Sequence, residues 1–151
     1  MRQLRLLLVV LSLSLVALGA ESPFSGTWKL NLAKSKLPPP APQSVTTTVD
    51  ADDNGIKLMG DMTDDKGQSV KMSWEAKFDG QDYRVTGDPT SDSISYQRVN
   101  AIALRGAFKK GGKITGKFTV VVSKNGKVTT VNFTDYSQGK PMKGMAVYDK
   151  Q

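Results

Sequence analysis

The chain reads as all-β: an antiparallel up-and-down meander of eight to ten strands closed into a barrel. Three observations predict this. Apolar and polar residues alternate with a period of two, most cleanly in QSVKMSWEAKF. There Val70, Met72, Trp74, Ala76 and Phe78 share one face, and Lys71, Ser73, Glu75 and Lys77 share the other. Short glycine-bearing turns separate such runs, and no helical spacing follows the first 20 residues.

The first segment must be set aside before the fold is read. Arg2 and Arg5 precede an apolar run from Leu6 to Val16, which the small residues Ala17, Gly19 and Ala20 follow. That is the layout of a secretory signal peptide, expected over residues 1–20. It implies export to the periplasm or the extracellular space. The run is shorter than the ~20 residues that cross a bilayer, so no membrane span is expected in the mature protein. Residues 21–151 are then about 131 in number, a common size for one domain.

The strands follow in order. FSGTWKL opens the domain, and AKSKLPPPAPQ, residues 33–43, comes next as a strap, because Pro38, Pro39, Pro40 and Pro42 exclude a helix through it. Alternation resumes in SVTTTVD (Val45, Thr47, Val49) and GIKLMGDM (Ile56, Leu58, Met62). After QSVKMSWEAKF it recurs in SISYQR (Ile94, Tyr96, Arg98), AIALRGAF (Ile102, Leu104, Phe108) and KITGKFTVVV (Ile114, Phe118, Val120, Val122). The breaks are DDNG at Asp52, DDKG at Asp64, DG at Asp79, KKGG at Lys109, KNG at Lys124 and SQGK at Ser137. Each supplies a glycine that tolerates positive φ, so sequential strands should pair as hairpins. A sheet with one apolar face and no helices to cover it must close on itself, and connections this local favour a barrel over a sandwich.

Composition excludes much chemistry. The chain has no cysteine and no histidine, so there is no Ser-His-Asp or Cys-His relay, no ordinary zinc site and no disulfide. No metal or cofactor is expected. The formal charge is +7, about +5 without the leader's two arginines, and Lys57, Lys71, Lys77, Lys117 and Lys127 are scattered rather than clustered with aromatics. A solvated barrel exterior explains them better than a nucleic-acid surface. DADDNGIKLMGD, from Asp50, begins like a calcium loop, but its twelfth residue is Asp61 and β-strand patterns flank it, so a hairpin turn accounts for every residue. No paired acids recur on an inward face, and an enzyme is not expected.

FSGTWKL resembles the start of calycin barrels: lipocalins carry G-x-W on their first strand, and fatty-acid-binding proteins begin with an aromatic residue and GTWKL. At the other end AVYDKQ, from Ala146, is similar to the closing R-x-Y-x-K strand of the fatty-acid-binding proteins. TDY at Thr134 is similar to another short lipocalin motif, although it precedes an ordinary turn. The whole chain most resembles small secreted bacterial proteins with a lipocalin-like barrel, among which segments like FSGTWKLN and KFDGQDYRVTGDP recur. The resemblance implies a lipocalin-like (calycin) fold and Trp28 as a plug across the closed end. It also marks two departures. The helical portal of the fatty-acid-binding proteins is replaced by the proline strap, and the arginine that grips a carboxylate falls on Ala146, with the family's tyrosine on Tyr148.

Two function classes follow. The first is a monomeric binding protein for a small, mostly apolar molecule, with Trp74, Tyr96, Arg98, Phe118 and Tyr148 as candidate ligand-binding residues. Trp74 and Phe118 lie on apolar faces; Tyr96 and Arg98 share a face with Ile94, and Tyr148 follows Met142, Gly144 and Ala146 at alternate positions. The second is a structural or protein-interaction barrel with a packed interior, in which aromatics fill the core and Arg98 reaches to water from its strand's end. An interior volume of ~300 Å³ or more favours the first.

Overall fold

Every turn signal falls between two strands in the computed structural model, which describes residues 21–151; the expected signal peptide lies outside the described residues. Ten strands result: β1 (Gly26–Leu30), β2 (Ser44–Ala51), β3 (Gly55–Thr63), β4 (Ser69–Lys77), β5 (Tyr83–Thr86), β6 (Ser93–Asn100), β7 (Ala103–Lys110), β8 (Lys113–Val122), β9 (Val128–Asp135) and β10 (Met142–Lys150). Each pairs antiparallel with its neighbours in sequence, and β1 closes the ring against β10, with Trp28 opposite Lys150 and Leu30 opposite Tyr148. The meander is therefore a closed barrel, a form consistent with a lipocalin-like fold.

Side-chain oxygens in the turns satisfy the backbone where the ladder stops. Asp52 Oδ1 accepts from the N–H groups of Asn54 and Gly55 at 2.7 and 2.9 Å, and Asp64 Oδ1 does the same for Lys66 and Gln68 at 2.9 and 2.8 Å. Asn125 serves Lys127, and Asp135 serves Ser137. Such Asx turns are why these residue types punctuate the chain. In the calcium-like stretch, the Asp52 carboxylate thus caps a hairpin, and those two backbone bonds hold its pKa below the usual value.

Because the strands alternate in direction, the turns gather at two ends. One end is a packed floor. The hydroxyl of Ser25 donates to the Ala51 carbonyl and accepts from the Ala51 N–H, tying the leading segment to β2. Trp28 and Phe24 are buried there, and the Trp28 indole N–H donates to the Phe24 carbonyl at 3.0 Å. Lys150 runs over Gly26, where a Cβ would lie 2.7 Å from its Cε, and its ammonium sits 5.5 Å from the centre of the Trp28 ring. Ile94, Leu104 and Val122 are the most fully buried large side chains. The opening FSGTW is a sealed floor.

The other end carries the strap. After β1 a single 3-10 turn, Leu32–Lys34, is capped by Asn31, whose side-chain oxygen accepts from the Lys34 N–H and whose amide donates to Asp149 at 2.8 Å. The chain stays fastened to β10 beyond that kink: the Asn31 N–H donates to the Val147 carbonyl, the Val147 N–H to the Ser35 hydroxyl, and Lys36 exchanges backbone bonds with Met145. Residues 37–43 contain no helix and lead across to β2.

Two details depart from the sequence expectation. Tyr83–Thr86 forms a separate short strand, paired with β4 only at Ser73↔Thr86 and Trp74↔Val85. Ile114 is 40% exposed instead of inward, because an irregularity between Phe108 and Lys109 shifts the β7–β8 register by one residue before Gly116. A one-residue slip turns a side chain to the other face.

Candidate functional site

Inward-facing positions between floor and strap do not fill the barrel. They enclose a cavity of about 420 Å³, above the lower bound of typical ligand pockets at ~300 Å³. Leu37 and Pro42 of the strap line it at the mouth, with Asp88, Ser91 and Asp135 from the neighbouring turns and strand ends. Its walls are otherwise mostly apolar.

One wall is aromatic. Trp74 on β4, Tyr96 on β6, Phe108 on β7 and Phe118 on β8 touch in sequence: Trp74 meets Phe108 edge-on at 5.7 Å between centroids, and Phe118 lies 5.4 Å from both Tyr96 and Phe108. Such pairs contribute about 0.5–1.5 kcal/mol each beyond the area they bury. Glycine makes room for them. At Gly106 a Cβ would stand 2.5 Å from Phe118 Cζ and collide with the Ser95 carbonyl, so the Phe118 ring lies directly over the Gly106 backbone. Gly144 takes the Phe133 ring in the same way. The facing strands contribute aliphatic and thioether groups, among them Leu30, Val45, Leu58, Met62 and Met72.

Below the mouth, where Asp88 and Asp135 stand, the side-chain polar atoms that line the cavity are uncharged. Trp74 Nε1–H donates to the Tyr96 hydroxyl at 3.1 Å, and both residues are buried. Burial raises the Tyr96 phenol well above its ordinary pKa, against a smaller opposing effect of the indole bond. Tyr148 also lines the cavity, and burial pushes its phenol up to about 12. Its hydroxyl has no hydrogen-bond partner among the described residues. Across the strand pair stands Thr129, 8% exposed, whose Oγ1 is buried and likewise without a partner. Ala146, at the position where the fatty-acid-binding proteins carry arginine, presents only a methyl group to the cavity.

Of the five residues singled out from sequence, Trp74, Tyr96, Phe118 and Tyr148 line this one space. Arg98 does not. It lies at the floor end, its guanidinium 4.9 Å above the Phe78 ring and donating to the Asp52 carbonyl at 3.3 Å, so it reaches outward from the strand end. Phe108, Thr129 and the strap residues Leu37 and Pro42 were not singled out. Phe108 was legible as part of an inward face, but the isolated hydroxyl of Thr129 depends on register and carries no local signal.

Among the described residues no cation projects into the interior. Lys117 borders the cavity by its position between the inward Gly116 and Phe118, and its own side chain is exposed on the outer face. There it joins Arg105 and Lys143 around a larger but solvent-facing concavity of about 680 Å³. That outer groove is open to solvent and follows the curvature of the sheet, so the interior space is the stronger candidate for a ligand. Burying a carboxylate in the interior would leave it without a counter-charge, an effective cost of several kcal/mol against the ~1.5–3 kcal/mol that a hydrogen bond to a charged group returns.

Compared with known proteins, the chain matches no protein-family model and no curated sequence.

Proposed function

We propose that this chain is an exported, lipocalin-like binding protein of the secreted bacterial type, and that as a monomer it holds a small, mostly apolar molecule without transforming it. The single observation that carries this reading is the roughly 420 Å³ interior cavity, walled by aromatic and aliphatic side chains and roofed by a proline-bearing strap. An interaction-only barrel calls for a packed interior, and side chains that could fill the space are replaced here by Gly60, Gly116 and Ala146 among its lining. The apolar run behind Arg2 and Arg5 supports export.

Tryptophan fluorescence of the purified protein, screened against fatty acids, retinoids, porphyrins and neutral apolar compounds, tests the reading. A saturable change is expected, reported by Trp74, and Trp74→Phe should remove most of that signal while largely preserving affinity. Native mass spectrometry should show one ligand per chain. No adduct and no saturable response up to millimolar concentration would sink the proposal.

A further inference from the structure

We propose that the cavity selects an uncharged apolar molecule bearing a hydrogen-bond acceptor, such as a medium-chain ketone or ester, and that the Tyr148 and Thr129 hydroxyls hold that acceptor. This inference rests on the binding-protein reading above.

Of the hydroxyls that line the cavity, those of Ser91 and Thr115 bond each other and that of Thr90 donates to Asp88, whereas those of Tyr96, Tyr148 and Thr129 each have a proton without a destination among the described residues. The Tyr96 oxygen accepts from Trp74 but finds no acceptor for its own O–H among the described residues. The Tyr148 hydroxyl has no partner there, and Thr129 Oγ1 is buried with none. Thr129 and Tyr148 are direct cross-strand neighbours on β9 and β10, which places their Cβ atoms about 5 Å apart on the same inward face. Backbone carbonyls along these strands are engaged in the ladder, since Thr129 pairs with Val122 on one side and with Tyr148 on the other. Donors are thus in surplus inside an apolar space. A molecule that brings one carbonyl or ether oxygen satisfies what the protein leaves unsatisfied, and a pure hydrocarbon does not.

Charge excludes the obvious alternative acceptor. A carboxylate would enter past Asp88 and Asp135 and find no interior cation among the described residues, because Arg98 is held at the floor and Ala146 offers only a methyl group. The Tyr148 phenol stays protonated at any physiological pH, so it is a lasting donor and never a base. Size narrows the class further. At the ~30 Å³ that a water occupies in the liquid, 420 Å³ corresponds to about 14 non-hydrogen atoms.

The test compares three probes on the wild-type chain and on a Thr129→Val/Tyr148→Phe double variant, with near-ultraviolet circular dichroism confirming that the variant is folded. Binding of 2-nonanone and of nonane is read by headspace partition, and of octanoate by equilibrium dialysis at pH 7. The variant should weaken 2-nonanone about tenfold or more while leaving nonane unchanged or tighter, and octanoate should bind the wild type more weakly than 2-nonanone. If both volatile probes bind and the variant shifts them equally, the hydroxyl anchor is wrong while the binding reading stands. Tighter binding of octanoate than of 2-nonanone would overturn the uncharged class. Absence of binding by all three probes would remove both this inference and the reading beneath it.

Discussion

Trp74 and Tyr96, 22 residues apart in sequence, are joined side chain to side chain, indole N–H to phenol oxygen at 3.1 Å, inside the aromatic wall of the barrel. The bond ties β4 to β6 past the short β5, where the ladder has only a few pairs. Tyr96→Phe keeps the ring contacts with Phe78 and Phe118 but strands the indole N–H. A loss of about 1–3 kcal/mol is expected, seen as a lower denaturant midpoint at unchanged m-value. An unchanged midpoint would mean that the bond contributes nothing.

Stability should fall at alkaline pH. Burial raises the phenols of Tyr96 and Tyr148, the latter to about 12, whereas in the unfolded chain both ionise near 10. Above pH 10 the unfolded state therefore binds fewer protons than the native state, and the stability present below pH 10 is lost as pH rises toward 12. Chemical denaturation at pH 8, 10 and 11 checks this sign, and Tyr148→Phe should flatten part of the slope. A stability that rises between pH 10 and 11 would contradict the burial of these groups.

Gly106→Ala should be destabilising by about 1–3 kcal/mol or more, because the added methyl meets the Phe118 ring and the Ser95 carbonyl and neither can withdraw without moving strand or wall. The same change should narrow the cavity. Thermal unfolding indistinguishable from wild type would show that Phe118 does not lie over this backbone.

Thr129→Val should stabilise the unliganded protein, by about 1 kcal/mol, because a buried hydroxyl without a partner is replaced by a methyl of the same shape. Equilibrium denaturation decides it. A destabilisation of similar size would mean that Oγ1 has a partner after all.

How much of this was legible in the sequence varied with the signal each strand carried. β4 alternates without interruption, and its face assignment transfers directly to the barrel. β9 does not advertise itself, since its inward Thr129, Val131 and Phe133 alternate with Val128, Thr130 and Asn132, and threonine and valine occur on both faces. β5 is four residues hemmed by turn formers, too short for a period to show. Ile114 was misplaced by a local register shift that no alternation pattern encodes. The wall residues were readable as inward-facing apolar groups, yet the space between them was not, because the same residue types build cores and pockets and a void is a difference of volumes. Arg98 illustrates the converse: it shares the parity of Tyr96, but the strand ends there, and the side chain follows water rather than parity.

The central claim, that the barrel interior is where a small apolar molecule resides, is tested most directly by isotope-filtered nuclear Overhauser spectroscopy of the protein with 2-nonanone. The account predicts contacts from ligand protons to the rings of Trp74, Phe118 and Tyr148 at one ligand per chain. Contacts confined to exposed side chains such as Met59, Val99 or Val121, or none at all with saturating ligand, would contradict it.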